Sequence, residues 1–301
     1  MPDISNDKPL VSVFMPVYNQ EDFVAEAIDS VISQDYRPIE LVIGDDCSND
    51  NSWAIIQEYT AKNPDLIKSF RNEKNLGITD NCNKVLSYCT GKYIAFTAGD
   101  DLFLPGKLSS QVHWLEADNS RTLCGHQVRV IYQDGARSHK FTPCLPSGQG
   151  AEWVIKHGCP YGGVSIMLRT SALPETGYDK RLPSVSDQKL WIDTLGDKGK
   201  FGYVNGVLAL YRKHHRNITH SVSHCLSDQE KMFEIIEREH PEYSSAVNIG
   251  RRNQLNMTKA KILFKEKNYF RAFLLALELH ILSPSRLCRA VVYKIRRATG
   301  I

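Results

Sequence analysis

The chain has 301 residues, 42% of them hydrophobic and 24% charged, with 19 Gly and 13 Pro, which excludes a disordered, collagen-like or low-complexity polypeptide. No apolar run reaches the roughly 20 residues of a membrane span, and the start Met1-Pro-Asp-Ile-Ser5 has no signal-peptide pattern, so a cytoplasmic location is expected. The net charge of +3 is unevenly spread: from Arg251 onward twelve Lys/Arg face two Glu (+10), whereas the preceding residues carry 25 basic and 32 acidic groups (−7).

Val11-Ser-Val-Phe-Met15 reads as a strand ended by Pro16. Ala25, Ile28, Val31 and Ile32 then recur at helical spacing from about Glu21. Ile39-Glu-Leu-Val-Ile43 is a β-branched run stopped by Gly44-Asp-Asp46, and Trp53, Ile56 and Tyr59 mark a helix closed by Asn63-Pro64. A short strand over 67–70 precedes a helix through Val85 and Leu86, with Gly91 as its C′ glycine. Tyr93-Ile-Ala-Phe-Thr97 is a further strand, and Pro105 opens a helix containing Leu108, Val112 and Leu115. Beyond about residue 120 the pattern is mixed, with short strands near 123–132, 163–168 and 206–212 and a helix near 187–195. After His220 it reads helical to the end. The alternation predicts an α/β domain with an open, mostly parallel sheet over 1–220 and a helical, basic region over 221–301.

Ligands of open α/β sheets bind outside the carboxyl ends of the strands. Three polar clusters are predicted there, Pro16-Val-Tyr-Asn19, Asp45-Asp-Cys-Ser48 and Gly99-Asp-Asp101, rimming one pocket. Adjacent carboxylates such as Asp100 and Asp101 repel unless a cation or donors share them, so they can hold Mg²⁺ or Mn²⁺ beside a phosphorylated ligand; the plainer reading is a turn ahead of the next helix. Asp45-Asp46 is either a strand-end turn or an acceptor for a base N–H or ribose hydroxyl. No Gly-x-Gly-x-x-Gly or Walker loop follows the first strand, which argues against NAD enzymes and P-loop NTPases.

Seven segments in order resemble family 2 glycosyltransferases of the GT-A fold, which are inverting and depend on nucleotide-sugars. They are Val11–Asn19, Ser30-Val-Ile-Ser-Gln34, Glu40–Ser48, Asn75-Leu-Gly-Ile-Thr-Asp-Asn81, Gly91–Phe96 leading to Asp100-Asp101, Ser186-Asp-Gln-Lys-Leu-Trp191 and Tyr211-Arg-Lys-His-His-Arg-Asn217. The resemblance implies that Pro16, Tyr18, Asn19, Asp46 and Asn75 hold the nucleoside end of the donor, with Asp46 facing the base. It further implies that Asp100 and Asp101 stand at the end of the metal motif for Mn²⁺ or Mg²⁺. Asp187 is then the catalytic base, and Arg212, His214 and Asn217 belong to a loop closing over the diphosphate. Ala98 departs from the pattern where the first metal-motif Asp often lies, and Ser186-Asp187 replaces the commoner Glu-Asp.

A transferase of this kind needs no enzyme nucleophile, so the 8 Cys, which form no Cys-x-x-Cys pair, read as reduced structural thiols. Trp191 shares a helix face with Asp187 and either stacks on an acceptor sugar or packs in the core; Tyr161-Gly162 either approaches the acceptor or is a plain turn. The expected substrates are a nucleotide-sugar donor, UDP first, and a glycan or lipid-linked glycan acceptor. A sugar-1-phosphate nucleotidyltransferase is the enzymatic rival, without the Gly-rich loop it would need, and a non-catalytic nucleotide-sugar or glycan-binding homologue is the other, suggested by Ala98. In the tail, Leu287, Ala290, Val291, Val292 and Ile295 make an apolar face among Arg and Lys. That pattern suits an anionic membrane surface or a helix packed on the domain; nucleic acid is disfavoured because no aromatic stacking pattern accompanies the charge.

Overall fold

The structure, a computed structural model, describes residues 8–133, 139–141, 147–159, 162–214 and 222–282. Strands β1 (Val11–Val17) and β2 (Ile39–Asp45) are buried nearly throughout, because helices cover both sides of the sheet. Their side chains alternate between two cores. Val11, Val13, Met15 and Val17, with Ile39, Leu41 and Ile43, enter one; Phe14 and Val42 enter the other. With β3 (Ile67–Arg71) and β4 (Tyr93–Phe96) they form a parallel set in the order β3-β2-β1-β4. The crossovers are α1 (Val24–Ile32), α2 (Ser52–Lys62) and α3 (Ile78–Ser87).

After β4 come β5 (Leu102–Phe103), α4 (Lys107–Glu116), β6 (Arg121–Tyr132), β7 (His139–Phe141), β8 (Gly148–Gln149) and α5 (Glu152–His157). A 3₁₀ turn (Gly163–Ser165), β9 (Met167–Arg169), α6 (Ser186–Leu195) and β10 (Lys200–Lys213) follow. The sheet is mostly parallel, as expected, with short antiparallel strands inserted. β9 runs antiparallel between β4 and β6, and β10 pairs parallel with β6. Two reversals restore direction, so the carboxyl ends of β1, β2, β4 and β10 share one edge.

Two expected boundaries shift. The helix after residue 78 stops at Ser87, so Gly91 is not its C′ residue. A Cβ at Gly91 would stand 2.6 Å from the Ser12 amide nitrogen and 2.7 Å from the Leu10 carbonyl oxygen, so only glycine lets this turn lie against β1. Pro105 precedes a left-handed Gly106, and the helix proper begins at Lys107.

The C-terminal region is helical, as expected: α7 (Val222–Glu239), α8 (Ser244–Gly250), a π turn (Arg251–Leu255), α9 (Asn256–Lys265) and α10 (Tyr269–Leu282). It does not begin a separate core at 221. Met232, Phe233, Ile235, Ile236, Ala246, Val247 and Leu255 lie in one cluster with Phe14, Phe96, Ile155 and Trp191 of the sheet domain. The hydrophobic core therefore crosses the expected boundary. The amphipathic stretch beyond 283 lies outside the described residues.

At the amino edge of the parallel strands a buried carboxylate joins four segments. Glu40 Oε1 accepts from Ser12 Oγ (2.5 Å), Thr90 N (2.6 Å) and Thr90 Oγ1 (2.9 Å), and Glu40 Oε2 from Lys68 Nζ (2.6 Å). The Gly91 amide donates to Ser12 Oγ at 2.8 Å. Burial pushes the Glu40 carboxyl up, but these donors outweigh it and hold it below the ordinary range.

Candidate active site

The three polar clusters meet at the carboxyl edge. The ends of β1 and β2 are stitched together. The Asn19 amide donates to Ser48 Oγ (2.9 Å), the Asn49 amide to Asn19 Oδ1 (2.8 Å), and the Asp46 amide to the Val17 carbonyl (2.9 Å). Asn19 (φ 52°) and Cys47 (φ 59°) both adopt left-handed backbone, the cost of two sharp turns on either side of one cleft. Pro16 does not end β1, which runs one residue further to Val17; it pairs opposite Gly44, and Tyr18 stands 44% exposed at the rim.

Asp46 is buried and acts first on its own chain. Its Oδ1 accepts from Asn72 Nδ2 (2.9 Å) and the Leu76 amide (2.8 Å), and its Oδ2 from the Gly77 amide (2.9 Å). It thereby folds the 72–77 loop over the end of β2. Asn75 shapes the same turn, accepting from the Gly77 amide at 3.0 Å. Asp45 turns inward instead, bonded to Ser48 Oγ (2.5 Å) and the Ser48 amide (3.0 Å) with Arg71 at 3.4 Å; burial outweighs these donors and pushes its carboxyl up. Asp45 is thus a turn residue and Asp46 the one at the cleft.

Asp100 and Asp101 both lie at the end of the β4 loop, buried. Asp101 Oδ1 accepts the Arg212 amide at 3.0 Å. Burial, then the charge of Asp100, pushes the Asp101 carboxyl well up, with Arg212 opposing. Asp100 Oδ2 lies 2.9 Å from His214 Nε2. His214 stacks on Phe23 with ring centroids 4.8 Å apart. Arg212 lies over the same ring at 5.1 Å, donates Nε to the Asp100 carbonyl (3.0 Å) and pairs Nη2 with Glu26 Oε2 (2.6 Å). The expected Arg212/His214 loop therefore does converge on Asp100. Asn217 lies outside the described residues, as does Tyr161.

Among the described residues no three His, Cys, Asp or Glu side chains cluster as a complete metal cage. The Asp100–His214 pair does fit a small divalent cation in part. A buried carboxylate oxygen and an imidazole nitrogen 2.9 Å apart are the donor types that such an ion takes.

Asp187 occupies the first turn of α6, where the Gln188 amide donates to its Oδ1 at 2.7 Å. The side chain reaches solvent, yet it is surrounded closely enough that lost solvation pushes its carboxyl up against these local donors. The buried Cys82 thiol is raised first by burial and then by the charges of Asp187 and Asp46. Trp191 is 2% exposed and meets Phe96 edge-on at 4.9 Å. Its ring belongs to the core, and stacking on an acceptor sugar is ruled out because no face is free. Gly162 precedes the 3₁₀ turn, where its carbonyl accepts from the Ser165 amide (2.8 Å) and Ser165 Oγ (2.7 Å).

Some residues escaped sequence reading. Phe23 and Glu26 carry the Arg212–His214 arm, and Gln20 Oε1 and Thr79 Oγ1 are buried with no hydrogen-bond partner among the described residues. A Cβ on Gly99 would meet Gln20 Oε1 at 2.5 Å and Val17 Cγ2 at 3.0 Å, so the β1 and β4 loops lie close together here. Only the Gly99 beside Asp100 hinted at this. A separate cleft of about 440 Å³ lies at the amino edge between Trp114, Arg121, Lys200 and Tyr203; it holds none of the predicted site residues.

The family model "Glycosyl transferase family 2" matches residues 12–173. EpsE of Bacillus subtilis (strain 168), which carries a glycosyltransferase name, is 35% identical over 210 residues, 69% of this chain and 73% of EpsE. TuaG of the same organism, named for teichuronic acid biosynthesis, is 31% identical over 214 residues, 69% of this chain and 81% of TuaG. The match to an uncharacterised Mycobacterium tuberculosis protein spans 39% of that protein's length. Among solved structures, residues 1–349 of S. aureus TarS with UDP-GlcNAc superpose with a TM-score of 0.64 at 16% identity, covering 95% of this chain and 89% of that one. A mannosyltransferase from Pyrobaculum calidifontis with GDP-Man and Mn²⁺ gives 0.63 at 16% identity, covering 98% and 82%. Sheet, site edge and family match agree: the chain belongs to glycosyl transferase family 2 and is a glycosyltransferase of GT-A architecture.

Proposed function

We propose that the protein transfers a sugar with inversion from a nucleotide-diphosphate sugar to a hydroxyl of a glycan or lipid-linked glycan. The observation that carries this reading is the meeting of the Arg212–His214 arm with Asp100 and Asp101 at the carboxyl edge of the strands. Asp46 heads a hydrogen-bonded loop cradle, and Asp187 is a solvent-reached carboxylate with reduced solvation. A raised carboxyl is a better proton acceptor than an ordinary one, as a general base must be. Pro16, Tyr18 and Asn19 line the nucleoside end with Asp46 and Asn75. Arg212 and His214 approach the diphosphate, and Gly162 borders the acceptor.

Asp100 and His214 would hold Mn²⁺ or Mg²⁺, with Asp101 positioning the Arg212 backbone behind them. When bound, the cation offsets charge on the departing diphosphate. No enzyme nucleophile is required: Asp187 takes the acceptor hydroxyl proton while Arg212 and His214 steady the phosphates. A UDP-sugar is the favoured donor. TarS was solved with UDP-GlcNAc, and the archaeal mannosyltransferase with GDP-Man, so both bases enter the test.

That test is a thermal-shift and hydrolysis panel of UDP-, GDP- and dTDP-sugars with and without Mn²⁺. A rise in melting temperature and nucleoside diphosphate release with one donor class is expected, since ligand binding stabilises by mass action. No shift and no release with any donor would overturn the assignment.

No helix among the described residues is long and apolar enough to cross a membrane. A peripheral contact with anionic lipid on the cytoplasmic face is the second element of the proposal. On α10, Phe270 is 71% and Leu274 47% exposed, one turn apart and close in sequence to Lys265, Lys267 and Arg271. Salt-sensitive co-sedimentation with anionic but not neutral vesicles is expected; equal binding to both would refute it.

A further inference from the structure

The helix that bears Asp187 is gripped from the C-terminal region on both sides of that residue. Three positions before it, the Ser184 amide donates to Asp228 Oδ2 on α7 at 2.7 Å. One position after it, Gln188 Nε2 donates to Gln254 Oε1 at 2.5 Å. Gln254 is itself buried and anchored: its Nε2 donates to the Ile155 carbonyl at 2.7 Å and the Val154 carbonyl at 3.3 Å, near the end of α5. Asn253 Nδ2 adds a bond to the Lys156 carbonyl at 3.1 Å.

The π turn explains how this is possible. In a regular α-helix successive residues point about 100° apart, so three in a row cannot all face one neighbour. Here Asn253 and Gln254 both reach α5, and Leu255 enters the shared core. Such wide turns recur at functional positions. Two glycines permit the approach. A Cβ on Gly250 would stand 2.2 Å from the Ile155 carbonyl oxygen, and one on Gly158 (φ +80°) would stand 3.3 Å from Gln254 Oε1. Thr258 Oγ1 donates to Gln229 Oε1 at 2.7 Å, tying α9 to α7, so the two grips belong to one unit.

The geometry points to Gln254 and Asp228 as positioning residues for sugar transfer: through Gln188 and Ser184 they set the first turn of α6, and so aim the Asp187 carboxylate at the incoming hydroxyl. The Gln188 amide, held by the side chain it shares a residue with, is also the donor to Asp187 Oδ1. This inference rests on Asp187 being the base. It deepens that reading by assigning the helical C-terminal region a part in the reaction.

The test uses the full chain with Mn²⁺ and whichever of UDP-GlcNAc, UDP-glucose or GDP-mannose it hydrolyses fastest. The variants are Gln188→Ala, Gln254→Ala, the double variant and Asp187→Asn. Each single glutamine variant should lower kcat about tenfold with donor KM within about twofold, because a sub-ångström misalignment costs rate rather than binding. The double variant should fall no further than the worse single, since both remove one contact. Hydrogen exchange should quicken in residues 184–190 and stay unchanged in 39–46. Wild-type turnover in Gln188→Ala, with Asp187→Asn inactive, would overturn the positioning role and leave the base standing. A double variant as slow as the product of the singles would overturn it too. Wild-type turnover in Asp187→Asn would instead remove the base, and the positioning role with it. Gln188 is only half-buried, so its variant keeps the test independent of any folding defect in Gln254→Ala.

Discussion

The two faces of the sheet are built differently. On one, α1, α2 and α4 close over alternate residues of β1, β2 and β4, and that core draws on residues from Val11 to Ala209. On the other, α3, α5, α6, α7 and α8 assemble a core that runs from Phe14 to Leu255. The first face contributes a platform to the site, Phe23 and Glu26 under Arg212 and His214. The second carries Asp187. The proposed base thus sits where the longest-range packing occurs, and its placement depends on parts of the chain that hold no motif.

The largest effect should come from cutting that long-range packing. A chain ending at residue 220 would expose Ile155, Trp191 and Leu195, which now pack with Met232, Phe233 and Ile236. Losing several large buried side chains at about 2–5 kcal/mol each exceeds ordinary domain stability. Insoluble or molten protein by circular dichroism is expected, and a folded, donor-binding fragment would restore an independent 1–220 domain.

The next effect separates the faces chemically. Asp187→Asn should lower turnover by about 10²–10⁴-fold while donor affinity holds. The wild-type rate should fall with acid. Asp187 is raised, so the ionised, proton-accepting form is lost as pH drops through a midpoint above the ordinary 3.8. A pH–rate profile with its acid limb at or below that value would break the assignment.

Asp100→Ala acts on the side of the platform. Donor affinity in Mn²⁺ should weaken about 10–100-fold, with no change in EDTA, read by titration calorimetry. Equal weakening in both media would mean that Asp100 only holds His214.

The smallest effect tests the first face alone. Lys107 is fully buried there, bonded to Gln111 Oε1 at 2.6 Å and 4.3 Å from the Phe103 ring centroid. Burial pushes its ammonium down to about 7 from the ordinary 10.5. The unfolded chain then binds the extra proton between those values, so stability should rise with pH across that window. Thermal melts at pH 7 and 9 should show a gain of a few degrees in the wild type and a flatter response in Lys107→Met. Parallel responses would show that the lysine keeps its charge in the folded state.

Local pattern and motif carried much of this architecture. Short apolar and β-branched runs marked β1, β2 and β4, and the helix expected near 187–195 is α6. Asp46, Asp100 and Asp187 stood out because strand ends concentrate ligands and because the motifs resemble a known family. What stayed hidden was non-local. The 14-residue β10 carries register shifts that blur its alternation, and β9 is three residues long. Gln254 looks like any polar helix residue until a π turn buries it. Gly91 looked like a helix stop, since a close backbone approach leaves the same signature as a C′ glycine.

The Glu40 junction has a mechanical consequence. Parallel strands can slip lengthwise, and one residue of slip is about 3.3 Å, enough to separate any pair of groups that must touch. Ser12, Glu40, Lys68 and Thr90 rivet four neighbouring segments at their starting ends. From Ser12 to Val17 is five residues, about 16 Å of strand. The junction therefore works as a datum line from which the height of every loop at the far edge is measured. A change such as Glu40→Gln would surface in an enzyme assay as a donor-cleft defect, although it lies at the other end of the strands.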